Sequence, residues 1–283
     1  MGTRGTATSS DRYLTGTLSA AVALLASYPA HARPELPAAV DGVPVVMLVD
    51  LASGRVLYQR HPDRRLLPAS MTKVMTAHVA FDLLSQGKLS ANATLPVPDE
   101  IARQWRGRGT SLYLQAGERV PVDLLIRGIT TVSANDGAMV LAVGHAGSVT
   151  AWTALMNAQA RKFGMKNSHF ATPHGWPDNG ATYTTARDLI VLADAMTRHY
   201  PDFYARYFGH RTLTHRGLTQ TNHDPVTGMV AGADGIKTGF TSEAGYNFLG
   251  SAQRQGRRLV LVIGGAASDA QRAKAARAML EWG

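Results

Sequence analysis

The amino-acid sequence predicts an α/β protein: one five-stranded antiparallel sheet flanked by helices, with an all-helical lobe inserted between its strands. Three observations point there. Two strand-like segments lie near the start of the chain, three more near its end are joined by short Gly-containing turns, and the middle has helical periodicity. Strands split between both ends share one sheet only if the helical middle is an excursion from it.

Taken in order, residues 45–50 (Val-Val-Met-Leu-Val-Asp) read as a buried strand, and Ser53-Gly54 turns it into residues 55–60 to give a hairpin. A helix is predicted from just after Pro68 to about Gln86, stopped by Gly87, with Met71, Val74, Met75 and His78 at helical spacing. Pro121 sits where a first helical residue belongs, and Val122, Leu125, Ile126 and Ile129 form an apolar face after it. Trp152, Leu155, Met156, Ala160 and Phe163 mark another helix, ended at Gly164. Thr185 and Asp188 have the spacing of a capping box, opening a helix that carries Leu189, Leu192, Ala193 and Met196 inward. Residues 235–241, 246–253 and 258–264 are predicted to pair antiparallel. Ser268 and Gln271 then cap a last helix running to about Trp282. A cleft between two such lobes is where a site is expected.

Composition narrows the function. The 283 residues include 29 Lys+Arg against 20 Asp+Glu, a formal charge of +9, with 45% hydrophobic and 17% charged residues. That is a globular balance, not a disordered or collagen-like one. The chain has no Cys, which excludes disulfides, thiolate metal sites and Cys nucleophiles. Residues 1–32 have the pattern of a secretory signal peptide: Arg4 and Arg12, a short apolar run over 18–25, then Ala30-His31-Ala32. The mature chain is therefore expected to be residues 33–283, exported to the periplasm or beyond, and to keep a charge of +8. Its basic residues are dispersed, as on an ordinary solvated surface or one that meets an anionic wall; nucleic acid is not an expected partner.

Three short motifs carry chemistry. Ser70-Met71-Thr72-Lys73 opens the first long helix, where residues three apart share a face, so the Lys73 amine can reach the Ser70 hydroxyl. A serine becomes a nucleophile when a base takes its proton, and a neutral lysine can be that base. Nearby N–H groups at the helix start can stabilise an oxyanion. Ser85 and Lys88 repeat the spacing but straddle the stop at Gly87, which removes the rigid turn. Ser133-Ala134-Asn135 falls between two helical segments. There a hydroxyl and a carboxamide can relay a proton and hold an amide, or simply cap the next helix. Lys237-Thr238-Gly239 lies in a predicted strand: a cation and a hydroxyl on one side suit a carboxylate, and glycine permits close approach. A lone strand lysine can equally guard a sheet edge.

Together the three motifs, 63 and 104 residues apart, resemble the signatures of the penicillin-recognising serine acyltransferases. Segments 69–76, 132–136, 170–176, 234–240 and 244–247 look like the low-molecular-mass D-alanyl-D-alanine carboxypeptidases of serine peptidase family S11, over roughly Val45 to Trp282. The resemblance implies a β-lactamase/transpeptidase-like fold. It also implies removal of the terminal D-alanine from peptidoglycan pentapeptide stems, with β-lactams as covalent ligands and neither cofactor nor metal. By position, Ser70 matches the acylated nucleophile, Lys73 its base and Ser133 the proton relay. Asn135 matches the group holding the peptide amide, and Lys237 and Thr238 those receiving the terminal carboxylate. The N–H groups of Ser70 and Phe240 match the oxyanion hole. Arg272 matches a basic residue that assists with the carboxylate, although at that place it can also pair with Asp269 or Glu243. Lys73 must be neutral to act, and burial and a Lys237 charge would both lower its pKa.

Rival readings differ in one step. A β-lactamase of the common class needs a Glu-activated water, and no Glu occurs between Asn135 and Lys237. An endopeptidase cutting D-alanyl–diaminopimelate cross-links would share every motif. Residues 33–283 are expected to form the peptidase domain alone, without the β-rich second domain and amphipathic anchor that many of these carboxypeptidases carry, an expectation that adds weight to the endopeptidase reading. A non-catalytic wall-binding module would keep the fold but not the activity, and here every motif residue is intact. None of the ten His falls in a His-Glu-x-x-His or His-x-His pattern, and His174 reads as a hydrogen-bonded buried residue rather than a ligand.

Overall fold

The computed structural model describes residues 1–2 and 35–283. The signal peptide expected over residues 1–32 lies outside the described residues apart from Met1 and Gly2. The chain divides into two units, Met1–Glu35 and Leu36–Gly283, and the fold described is that of the second.

After a 3-10 turn at Ala38–Val40, β1 (Val45–Asp50) and β2 (Arg55–Arg60) form the N-terminal hairpin. A second 3-10 turn, Ala69–Met71, leads into α1 (Thr72–Ser85). The middle of the chain holds β3 (Thr94–Pro96), α2 (Asp99–Trp105), β4 (Arg119–Pro121), α3 (Val122–Thr131), α4 (Asn135–Ala146) and α5 (Val149–Lys162). Next come α6 (Ala186–His199), α7 (Pro201–Tyr207), β5 (Thr212–His215) and β6 (Leu218–Thr221). β7 (Ala233–Thr241), β8 (Gly245–Arg254), β9 (Arg257–Ala266) and α8 (Asp269–Trp282) close the chain.

The main sheet has the order β2-β1-β9-β8-β7, antiparallel throughout, so the chain's two ends meet where β1 pairs with β9. Its register is informative. Met47, Val262, Leu249 and Lys237 are cross-strand neighbours, and the first three belong to the core cluster that also holds Val74 and Met75 of α1. Residues one step along, Val46, Ile263 and Phe248, pack in a second cluster with Ala275 and Met279 of α8. Because side chains alternate along a strand, Lys237 faces α1 and Thr238 faces α8. The sequence expectation that both act from one side of the strand is corrected on that ground; they meet only around the free edge of β7.

Helix α1 is buried on nearly all sides, including Thr72, Lys73, Thr76 and His78. Its apolar spacing belongs to a helix sunk between the sheet and the helical lobe. The first turn after Pro68 is 3-10 rather than α. Pro121 ends β4 and caps α3 from outside rather than occupying its first turn. Thr185 and Ser268 each accept from the N–H three residues on, as expected of caps. The return bonds are absent: Asp188 accepts from Asn167 N and Ser168 Oγ, and Gln271 accepts from Ala267 N.

Candidate active site

The site is assembled where the 3-10 turn before α1, the α3–α4 elbow and β7 converge. Ala69, just before Ser70, has φ +47°, and Ser133 at the elbow has φ +64°, both left-handed conformations costly for residues with a Cβ. Each is held from outside. Asn247 Nδ2 donates to Leu67 O at 3.0 Å, tying the approach to Ser70 to the sheet, while Asn247 Oδ1 accepts from Gly265 N at 2.8 Å. Thr110 Oγ1 donates to Ser133 O at 2.7 Å, and Asn135 N donates to Thr110 O at 2.9 Å. The Thr110 segment is fixed in turn by Asp136, whose carboxylate accepts from Ser111 Oγ at 2.6 Å and from the N–H groups of Leu112, Leu114 and Gly137.

Lys73 is 1% exposed, and its Nζ stands 3.0 Å from Ser70 Oγ. It donates to Asn135 Oδ1 at 2.7 Å and to His174 O at 2.8 Å. Burial holds its pKa well below the ordinary 10.5, and the Lys237 charge lowers it further against an opposing pull from Asp136. A neutral amine has two N–H bonds and one lone pair. Both neighbouring carbonyl oxygens can only accept, so they take the two N–H groups and leave the lone pair facing Ser70.

The cleft of about 690 Å³ is lined by Ser70, Ser133, Asn135, Thr238, Gly239, Phe240 and Arg272 among others. Gly239 is required there: a Cβ would come within 2.4 Å of Pro68 O. Phe240 is half exposed and stacks on Tyr246 at 4.2 Å between centroids. Lys237 does not line the cleft surface. It is buried beneath it on the α1 side, donates to Thr238 O at 3.1 Å, and has its pKa brought down to about 7 by burial and by Arg272. Arg272 is buried in the wall and donates through Nη2 to Asp269, the pairing the sequence held open, while its Nε has no partner among the described residues. The opposite wall carries Trp176, whose ring packs edge-on to Trp105.

All nine candidate residues thus fall in one place: seven line the cleft, and the two lysines are buried under it, Lys73 bonded to Ser70 and Asn135 and Lys237 behind the strand. His174, read from the sequence as a buried, hydrogen-bonded residue, is one, and it also serves the site in a way the sequence did not show. His174 contributes its backbone carbonyl, which no residue type advertises, and its imidazole Nδ1 accepts from Trp176 N. Burial and the nearby Lys73 hold that imidazole's pKa well below the usual value. Thr110 and His223 had no motif to mark them, and Asp136, inside segment 132–136, had been given no role; His223 lines the cleft near Lys237 and Arg272.

A sequence model described as D-alanyl-D-alanine carboxypeptidase, peptidase family S11, matches residues 37–268. The chain belongs to this family. The D-alanyl-D-alanine carboxypeptidase DacA of Escherichia coli (strain K12) is 34% identical over 253 residues, covering 86% of this chain and 62% of its own. A D-alanyl-D-alanine endopeptidase of Pseudomonas aeruginosa is 33% identical over 210 residues, covering 71% of this chain and 64% of its own. Among solved structures, penicillin-binding protein D2 of Listeria monocytogenes, in an ampicillin-bound form, superposes with a TM-score of 0.77 at 28% identity, covering 88% of this chain and 98% of that one. This chain therefore spans less than two thirds of DacA's length while matching nearly all of the Listeria protein.

Proposed function

We propose that this family S11 protein is a serine-type D-Ala-D-Ala carboxypeptidase that removes the terminal D-alanine of peptidoglycan stems through an acyl-enzyme on Ser70. One observation carries the reading: a buried lysine whose two N–H groups are committed to carbonyls, so that its lone pair faces a serine hydroxyl 3.0 Å away.

In acylation, Lys73 takes the Ser70 proton as Oγ attacks the carbonyl of the penultimate D-alanine. The oxyanion is received by the N–H groups of Ser70 and Phe240. Ser133 passes a proton to the leaving nitrogen, the C–N bond breaks, and D-alanine departs. Water then attacks the ester, with Lys73 again as base, and Ser70 is regenerated. The departing carboxylate is held by Thr238 and Arg272 from the α8 side of β7, while Lys237 contributes charge from the α1 side. β-Lactams acylate the same serine. The protein works in the periplasm or outside the cell, after removal of residues 1–32.

A second reading, an endopeptidase acting on cross-links, is favoured by the similarity to the Pseudomonas endopeptidase. Incubation with a pentapeptide ending in D-Ala-D-Ala and, separately, a cross-linked dimer decides between them. D-Alanine released from the pentapeptide by the native chain, and not by Ser70→Ala, is the expected result. Cleavage of the dimer alone would replace the carboxypeptidase reading, and no cleavage of either would refute both.

A further inference from the structure

Beyond Phe240 the sheet ends in a second groove of about 670 Å³, in the size range of ligand sites. Phe240, Ser242 and Tyr246 line both this groove and the catalytic cleft, so the two are continuous around one aromatic stack. Arg64, Arg65 and Glu243 also line it. Arg65 is engaged, its guanidinium 4.3 Å over the Tyr183 ring. Arg64 and Glu243 are both exposed, and neither side chain has a salt bridge or hydrogen bond among the described residues. Opposite charges thus share one groove without neutralising each other.

The direction of a bound peptide follows from the site. The carboxylate end lies at Thr238 and Arg272 and the reacting carbon at Ser70, so an extended substrate on the free edge of β7 runs from Ser242 towards Lys237. At about 3.3 Å per residue, the residue before the acyl D-alanine passes Thr241 and Ser242, and a side chain of four or five atoms reaches the groove. We propose that this groove is the subsite for that side chain, and that Arg64 and Glu243 make it select one ending in both a carboxylate and an amine. Arg64 takes the carboxylate through its planar fork, and Glu243 takes the ammonium. The proposal rests on the carboxypeptidase reading.

The test uses three acetylated peptides, X-D-Ala-D-Ala, with X as alanine, lysine or meso-diaminopimelate. D-Alanine release is measured for the native chain, Arg64→Ala and Glu243→Gln, with benzylpenicillin acylation run alongside. An exposed ion pair changes affinity by up to about fivefold. The native chain is expected to rank diaminopimelate above lysine above alanine in kcat/KM, with roughly fivefold between successive members. Arg64→Ala should remove the step between diaminopimelate and lysine, and Glu243→Gln the step between lysine and alanine. Equal use of the three peptides by the native chain, or a ranking unmoved by both variants, overturns the subsite. Failure to hydrolyse any peptide or to form a penicilloyl adduct instead refutes the catalytic reading, so the two failures are told apart.

Discussion

Replacing Gly175 by alanine should disable the Lys73 amine by displacing the His174–Gly175 peptide, without changing any side chain assigned a role in the reaction. Gly175 has φ +76°, and a Cβ there would lie 1.8 Å from Ala69 O and 2.6 Å from Thr72 Oγ1. The loop would have to retreat by about 1.2 Å before that oxygen stood at the 3.0 Å limit of real contacts, and the obstacle is backbone, which cannot swing aside. His174 O is the adjoining peptide oxygen, so its 2.8 Å bond from Lys73 would stretch to about 4 Å and cease to be a hydrogen bond. Leaving that buried N–H unpaired costs about 1–3 kcal/mol, and a left-handed alanine adds about 1–2 kcal/mol. At 1.4 kcal/mol per factor of ten, and with the amine no longer aimed, Ser70 acylation should slow by roughly 10- to 100-fold. The midpoint of thermal unfolding should fall by about 4–20 °C for a domain of this size. Time-resolved labelling with a fluorescent penicillin gives the rate, and calorimetry the midpoint. A variant that melts early but acylates at the native rate would show that His174 O does not orient Lys73.

Three further outcomes follow from the same geometry. Asp136→Asn keeps the shape but presents an NH₂ to a pocket of four donors, and should cost about 3–5 kcal/mol in urea unfolding; a loss under about 1 kcal/mol would mean that the Asp136 clamp does not hold the Thr110 segment. Acylation should rise with pH through the lowered pKa of Lys73 and level off well below 10.5, whereas a rate still climbing at that pH would contradict a neutral Lys73. Lys237, ordinarily 10.5 and brought to about 7, holds fewer protons folded than unfolded between those values, so native stability rises with pH across that window and its gain is lost as pH falls to 7. Lys237→Met lacks this dependence. Its stability advantage over the native chain should shrink by at most about 1.4 kcal/mol per pH unit between pH 7 and 10, and a constant difference would refute the burial argument.

The five main strands, the long helices and all three motifs were legible because periodicity and turn residues set them locally. What sequence could not show was mostly how segments distant in the chain meet. The hairpins β3–β4 and β5–β6 are strands of three and four residues, too short for a periodic signal. Helix α1 was legible from the spacing of Met71, Val74, Met75 and His78, but nothing local showed that Thr72 and Thr76 are buried as well. The error at Lys237 and Thr238 was one of arithmetic: a two-residue period forbids neighbours on one face, and only an edge strand lets both serve a ligand. At Arg272 the sequence named both outcomes, and the spacing of three residues on a helix brought Asp269 into contact. His174 was legible as a buried, hydrogen-bonded residue, but its bond to Lys73 was not, because a peptide carbonyl is identical in every residue type.

The most direct test of the central claim is intact-protein and peptide mass spectrometry of the chain incubated with benzylpenicillin and sampled over hours. One adduct per molecule, on the peptide containing Ser70, absent from Ser70→Ala and slow to disappear because no Glu lies between Asn135 and Lys237, is the expected result. Folded protein that forms no adduct, carries it on another residue, or clears it within seconds would contradict a lysine-activated serine acylated as proposed.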